Sequence, residues 1–236
     1  MATPRERTHS NLQNLQVLYE DNHLIVVNKR AGDIVQGDKT GDTPLAEVVK
    51  QYIAKEYNKP GAVYLGVVHR IDRPTSGVVV FARTSKALGR LNKQFAERNT
   101  EKTYWAVVKN PPPQASETLV HYLKRNPKQN KSYAHAKEVP GSKRAVLTYQ
   151  VTKELNNYYL LEIALETGRH HQIRAQLAAI GSPIKGDLKY GFDRSNKDGS
   201  IHLHARKLVI THPVQKEDLM ILAPTPDDVI WAACEG

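Results

Sequence analysis

The sequence contains a single cysteine, Cys234, so an internal disulfide is impossible and nothing indicates an oxidising compartment. It also lacks any run of roughly 18 uncharged residues, which a membrane-spanning helix would need. No apolar stretch typical of a signal peptide follows Met1. These absences argue against a disulfide-stapled secreted domain and against a helical membrane protein, and we expect a cytoplasmic protein.

Low-complexity tracts and internal repeats are absent as well. The 14 glycines and 13 prolines are scattered, and 40% of the residues are hydrophobic, which is enough for a folded core. Residues 1–14 are polar and show no periodicity, so we predict a flexible N-terminal arm followed by one folded domain over residues 15–236.

Acidic residues are outnumbered. Thirty-four Lys and Arg against 24 Asp and Glu give a formal net charge of +10, which attracts polyanions but also fits a protein that is merely basic. The excess is concentrated in residues 121–144, where seven cations accompany one acid, Glu138, with Tyr122 and Tyr133 interleaved. A solvated surface loop is the alternative, but we favour an exposed basic arm that contacts RNA.

The hydrophobic pattern changes period along the chain. Short alternating or apolar runs separated by turn residues predict strands, as on either side of Asn156-Asn157. Helical spacing appears after Thr43 and after Ser85, each of which we predict as an N-cap, and again over residues 173–180. Because strands and hairpins outnumber helices, we expect an α+β fold around a largely antiparallel sheet with flanking helices.

One polar loop stands between two runs suited to buried strands, residues 67–68 and 78–82. In His69–Gly77 the carboxylate of Asp72 lies between Arg70 and Arg73, whose charges favour its ionised, nucleophilic form. An Asp in this position is also a common turn former. The residues alone leave both interpretations open.

The same loop resembles the signature of the RluA family of RNA pseudouridine synthases, whose pattern is His-Arg-Leu-Asp-x-x-Thr-Ser-Gly. Further segments resemble the family in the same order, and together they cover roughly residues 17–223. These segments are Asn28-Lys29 with Ala31-Gly32, residues 102–106, Thr167–Arg174, Gly186-Asp187 with Tyr190-Gly191, Leu203–Ala205, and His212-Pro213.

The resemblance implies a reaction and a set of residues. Asp72 would be the catalytic carboxylate, Tyr104 would stack on the target base, and Arg169 would pair with Asp72. Arg70, by analogy, would fill the space left by the flipped uridine. The implied enzyme isomerises specific uridines in rRNA or tRNA, has a central RNA-binding cleft, and needs no metal or other cofactor. Nothing in the sequence decides the oligomeric state, and a monomer is the default expectation. We expect RNA contacts from His69, Arg70, Arg73, Thr75, Lys102, Lys124, Arg125, Lys128, Lys131, His171 and Arg174.

Some positions depart from the family pattern, and three other functions are compatible with parts of the sequence. Ile71 replaces the commoner Leu, Gln176 and Ser182 stand where many relatives carry histidine, and we expect no separate small RNA-binding domain before the catalytic one. A metalloenzyme is disfavoured because neither paired cysteines nor a His-Glu-x-x-His pattern occurs. A glycosidase lacks a second carboxylate in the loop. A non-catalytic RNA-binding factor remains the main alternative.

Overall fold

The computed structural model describes residues 9–38 and 40–236. Among these, the chain divides into two compact units. Unit 1 comprises residues 102–204 and 227–236, and unit 2 comprises residues 9–101 and 205–226. The chain passes from unit 1 into unit 2 within one strand, Leu203–Thr211.

Unit 2 is built from strands and two helices. In chain order these are β1 (Val17–Glu20), β2 (Leu24–Lys29), α1 (Leu45–Glu56), β3 (Gly66–Val67), β4 (Ser76–Ala82) and α2 (Ser85–Glu97). Unit 1 then contributes β5 (Glu101–Val108), β6 (Ser116–Asn126), β7 (Lys131–His135), β8 (Lys143–Glu154), β9 (Tyr159–Leu165) and α3 (Gln172–Ala179). A short 3-10 helix (Leu188–Tyr190), β10 (Leu203–Thr211), β11 (Asp218–Leu222) and α4 (Val229–Glu235) complete the chain.

The sheet of unit 2 has the strand order β1-β2-β4-β10, with β3 paired to β4 and β11 paired to β10. Both faces of its central strands are buried, because alternate side chains enter different core clusters. Leu24 and Val26 pack with α2, whereas Ile25 and Val27 pack with α1. A helix on each face therefore holds β4, and with it the end of the loop that precedes β4.

The sheet of unit 1 has the strand order β5-β9-β8-β6-β7. One face carries α3, whose Ile173 and Leu177 pack against Tyr149 and Ile163. Near β5 and β9 the opposite face is covered by α4 through Trp231. The hairpin of β6 and β7 lies at the far end of this order, beyond the residues that α4 covers.

These elements confirm the predicted α+β class with largely antiparallel pairing. Two local predictions were wrong. Pro44 rather than Thr43 is the residue before α1, and Thr84 rather than Ser85 caps α2 by accepting a hydrogen bond from the Ala87 N–H. Much of the basic arm is a regular hairpin, β6 with β7. The alternation of apolar and polar residues that predicts a strand is weak here, because polar residues occupy both faces of the hairpin.

The division into an arm over residues 1–14 and one catalytic domain stays a prediction. Residues 1–8 lie outside the described residues. At residue 10 the Asp33 carboxylate accepts hydrogen bonds from the Ser10 N–H (3.0 Å) and hydroxyl (2.6 Å), so this part of the chain is anchored to unit 2. Within the described ranges, no helix is both long and apolar enough to cross a membrane.

Gly77→Ala should be strongly destabilising, by at least about 3 kcal/mol, because Gly77 has φ +116° and a Cβ there would lie 2.3 Å from the Ala205 carbonyl oxygen. The free energy of unfolding in urea is the measurement. Gly89→Ala is the matched control, since Gly89 lies inside α2 with open space around it and should gain about 0.5–1 kcal/mol. Equal stability of the two variants would contradict the steric argument.

Candidate active site

The loop between β3 and β4 presents Asp72 in a tight turn. The Thr75 N–H donates to the Asp72 carbonyl oxygen at 3.0 Å, and the side chain of Asp72 is half-buried. Thr75 and Ser76 are buried at the point where the loop enters β4. The turn therefore leaves the carboxylate partly open to solvent while its backbone is continuous with a rigid strand, as a reactive group requires.

A second segment of unit 2 fixes this loop from the side. The Gly32 N–H donates to the Arg73 carbonyl oxygen at 2.7 Å. The ammonium group of Lys29 donates to the same oxygen at 3.2 Å and to the Arg30 carbonyl oxygen at 2.8 Å. Residues 29–32 and the Asp72 loop are thus held together through one carbonyl group.

Lys29 was not among the predicted site residues, yet its charge acts directly on the loop. Its side chain is fully buried, and this burial lowers the pKa of the ammonium group to about 7. Attraction from Asp33 and Asp72 opposes the decrease, whereas repulsion from Arg73 adds to it. Lys29 therefore brings a cation that titrates near neutral pH into the neighbourhood of the Asp72 carboxylate.

The other predicted residues of the loop differ in their surroundings. His69 accepts a hydrogen bond from the Val80 N–H at 3.1 Å and stacks on Phe95 at 4.8 Å between ring centroids, so its ring helps to hold the loop to β4 and α2. Arg73 pairs with Asp42 at 2.6 Å on a partly exposed surface. Arg70 is exposed and projects from the loop immediately before Ile71.

In unit 1, Arg169 lies on the turn that leads into α3. The Gln172 side-chain oxygen accepts hydrogen bonds from the Arg169 N–H (2.9 Å) and the Thr167 hydroxyl (2.7 Å), which fixes the backbone of the turn. The guanidinium Nε donates to the Arg144 carbonyl oxygen at 3.1 Å. That bond uses one of five N–H groups, and the Arg169 side chain is half-exposed.

Tyr104 and Lys102 lie on β5. Tyr104 is opposite Ile163 on β9 and packs against the core beside α3 while remaining half-exposed. Lys102 is also half-exposed. The structure therefore gives Tyr104 a fixed ring with part of its surface accessible. Because Asp72 belongs to unit 2 and Tyr104 and Arg169 to unit 1, their joint action on one base stays a prediction.

The basic hairpin is tied to α3 by a buried hydroxyl group. The Tyr190 hydroxyl accepts from the Ser132 N–H at 2.8 Å and is hydrogen-bonded to His171 Nδ1 at 3.0 Å. Burial, reinforced by the charge of Arg174, lowers the pKa of His171 to about 2, so the imidazole is neutral. Two further bonds, from Lys189 to the carbonyl oxygens of Gln129 and Asn130, hold the hairpin turn.

Three predicted RNA contacts do not fit this geometry, and one of them, Thr75, is only 1% exposed. Arg174 is 4% exposed and forms a bidentate pair with Asp187 at 2.7 and 2.9 Å, so its guanidinium fixes the 3-10 helix to α3. His171 is 8% exposed, and its Nδ1 is hydrogen-bonded to the Tyr190 hydroxyl. From the sequence alone the latter two side chains were expected at the RNA-binding surface, because their partners, Asp187 and Tyr190, lie more than ten residues away in the chain.

The remaining cations of the predicted set are accessible. Lys124, Arg125 and Lys128 are exposed on the hairpin, and Lys131 is half-buried, with its ammonium 5.0 Å from the Tyr190 ring centroid. Among the residues described, no group of three or more His, Cys, Asp or Glu side chains is arranged to hold a metal ion.

The chain matches the family model described as RNA pseudouridylate synthase over residues 23–179. The chain belongs to this family, whose reaction is the isomerisation of uridine to pseudouridine in RNA. The resemblance to the RluA family is confirmed, since a ribosomal large subunit pseudouridine synthase D from Xanthomonas campestris is 33% identical over 238 residues, covering 94% of this chain and 70% of that protein.

Other similar proteins agree. An uncharacterised RNA pseudouridine synthase from Synechocystis is 33% identical over 216 residues, covering 90% of this chain and 66% of its own length. The chain thus spans about two thirds of the length of these relatives. The solved structure of human RNA pseudouridylate synthase domain containing 4 superposes with a TM-score of 0.79 at 22% identity, over 93% of this chain and 92% of that one, which shows a shared fold.

Lys29→Met should remove a pH dependence of stability. The pKa of Lys29 is about 7 in the folded chain and near its usual value of about 10.4 when unfolded, so between these values the unfolded state binds more protons. Wild-type stability should therefore rise relative to the variant from about pH 7 to about pH 10. Urea unfolding across this range measures the difference. Lys50→Met, at a partly exposed lysine of α1, should keep the wild-type dependence.

Tyr190→Phe should loosen the hairpin, because the buried Ser132 N–H and the His171 nitrogen both lose their partner. We expect faster amide hydrogen exchange at Ser132 and in residues 125–131, with a loss of about 1–3 kcal/mol in local stability. Tyr149→Phe is the matched control, since its hydroxyl donates to the Gln114 carbonyl oxygen instead. Unchanged exchange at Ser132 in Tyr190→Phe would contradict the assignment.

Proposed function

We propose that this chain forms pseudouridine at specific uridines of a structured RNA and that the Asp72 carboxylate performs the covalent chemistry. The observation that carries the proposal is the fixed, partly open position of Asp72 on a loop held to β2 by the Lys29 ammonium. Family membership supplies the reaction. In that reaction the bond from ribose to N1 of uracil breaks and a bond from ribose to C5 forms, while C5 loses a proton and N1 gains one, so that the product is an isomer of the substrate.

An ionised carboxylate is needed at the start of this sequence. The neighbouring Lys29 ammonium, whose pKa is lowered by burial and raised in part by the nearby Asp72 carboxylate, brings a positive charge into the surroundings of the loop. Asp72 then attacks either the ribose or the base, or assists removal of the sugar proton. Each route uses the same carboxylate and requires the base to be outside its helix.

The target base must first leave its stack, at a cost of a few kcal/mol. Tyr104, with its ring braced by the core of unit 1, is suited to stack on the flipped uracil. Arg70, exposed at the start of the Asp72 loop, is suited to fill the vacated space. Arg169 would pair with Asp72 and keep the carboxylate oriented, which lysine would reproduce poorly.

Binding of the RNA would rest on accessible cations of both units. These are Arg70, Arg73 and Lys102, together with Lys124, Arg125, Lys128 and Lys131 of the hairpin. His69 and Thr75 would contribute by shaping the loop. We propose an RNA-binding cleft, an rRNA or tRNA substrate, and action as a cytoplasmic monomer without metal or cofactor.

Asp72→Asn should abolish product while RNA binding persists, because the amide is nearly isosteric but cannot act as the nucleophile or base. We expect the turnover rate to fall by at least about a thousandfold with the dissociation constant changed less than about threefold. Tritium release from C5-labelled RNA measures turnover, and filter binding measures affinity. Asp193→Asn, at an exposed carboxylate of unit 1, should be unaffected.

A wild-type protein that binds RNA but releases no tritium would instead indicate a non-catalytic RNA-binding factor. Equal turnover of Asp72→Asn and wild type on the same transcript would refute the role of Asp72. Mapping pseudouridines in total RNA from a deletion strain and its parent identifies the transcript to use.

A further inference from the structure

Two tyrosines of the basic hairpin face away from the core. Leu123 on β6 and Ala134 on β7 pack in the cluster that includes Tyr190. Because successive side chains of a strand point to opposite faces, their neighbours Tyr122 and Tyr133 lie on the other face of the hairpin. We call this face, with Tyr122, Lys124, Tyr133, His135 and Arg144, the outer face.

The strand register places cations directly beside both rings. Lys124 is opposite Tyr133, and Tyr122 is flanked by His135 on one side and by Arg144 on the other. Directly opposed residues in antiparallel strands have Cβ atoms about 4.5–5.5 Å apart, so each ring is within reach of a basic side chain. The result is an alternation of aromatic and basic groups across three strands.

The rings are accessible rather than packed. Tyr133 is 40% exposed, Tyr122 is half-exposed, and neither belongs to a hydrophobic cluster of the described residues. Tyrosine is favoured in strands, and strand propensity alone is the simplest reason for finding it here. Propensity does not explain why each ring has a cation beside it, Arg144 next to Tyr122 and Lys124 with Lys131 next to Tyr133, and such pairing of aromatic and basic groups is typical of surfaces that bind single-stranded nucleic acids.

The opposite face of the hairpin is braced. The bonds from Ser132 to Tyr190 and from Lys189 to Asn130 hold β7 and the turn to the 3-10 helix, Leu188–Tyr190. A rigid surface loses little conformational entropy when a ligand binds, so stacking on it is not offset by a large ordering cost. With seven cations and one acid in residues 121–144, a polyanion is the complementary ligand.

We propose that the outer face binds an unpaired segment of the substrate RNA by stacking bases on Tyr122 and Tyr133, separately from the base held for isomerisation. Lys124 and Arg144 would contact the phosphates of the same segment, although Arg144 also pairs with Glu166 at 3.7 Å. The inference rests on the proposed function, because it takes RNA as the substrate. It predicts that unpaired nucleotides outside the modified position contribute to affinity.

The test compares the RNA affinity of variants that lack the aromatic ring at position 122 or 133 with that of variants that keep it. Tyr122→Val and Tyr133→Val keep strand propensity but remove the stacking surface, whereas Tyr122→Phe and Tyr133→Phe keep it. We expect each Val variant to bind a single-stranded RNA of about twenty nucleotides about tenfold more weakly, with duplex RNA of the same length unaffected. Each Phe variant should bind within about twofold of wild type.

Salt dependence separates stacking from charge. The Val variants should keep the slope of log affinity against log salt, because no phosphate contact is lost. Lys124→Gln should reduce that slope by about 0.7 for a single strand. Tyr64→Val is the matched control, since Tyr64 is 47% exposed in unit 2, outside the outer face and the core clusters, and should leave binding unchanged.

A photochemical cross-link from bromouracil-substituted RNA to Tyr122 or Tyr133 of the wild-type protein tests the contact even if a variant fails to fold. Wild-type affinity in both Val variants, equal losses in the Val and Phe variants, or cross-links only elsewhere would overturn the proposal. Tritium release by the wild type is measured separately. Its absence defeats the proposed function, whereas loss of the stacking result alone defeats only this inference.

Discussion

The Asp72 loop depends on a buried ammonium group. Lys29 is fully enclosed, yet it donates to two main-chain carbonyl oxygens, one of which belongs to the loop, and it is attracted by two carboxylates. Burying a cation is costly unless such partners surround it. The loop and the turn after β2 supply them, so the position of Asp72 and the burial of Lys29 are parts of one arrangement.

In unit 1 the hydrogen bonds of an uncharged hydroxyl group hold the basic hairpin in place, as the Lys29 ammonium holds the Asp72 loop in unit 2. The Tyr190 hydroxyl accepts a hydrogen bond from an N–H of β7, the last strand in its order, and is hydrogen-bonded to a histidine that burial keeps uncharged. The bidentate pair of Arg174 and Asp187 fixes the helix that carries Tyr190. The hairpin can therefore present many cations to solvent without relying on them for its own stability.

The parts of the site that the sequence predicted are formed by residues close together in the chain, whereas the parts that it did not predict depend on contacts between residues far apart in the chain. The Asp72 loop was found because its residues are consecutive, and the strands and helices were found because their periods are local. The hairpin was interpreted as an arm because only Leu123 and Ala134 mark its inner face near the turn. Lys29 was missed because a lysine at the end of an apolar strand looks like any strand terminus, and its partners at Arg73 and Asp72 are more than forty residues away.

The sequence by itself determined the α+β class, the family and the loop that bears the carboxylate proposed to be catalytic, since these are recorded in short motifs and local periodicity. Only the tertiary structure decided which polar and charged side chains are buried against partners within the protein and which face solvent. Arg174 and His171 turn inward and Tyr133 and Lys124 face solvent because burial depends on partners brought together by folding, such as Asp187 and Tyr190, and no local pattern encodes that proximity.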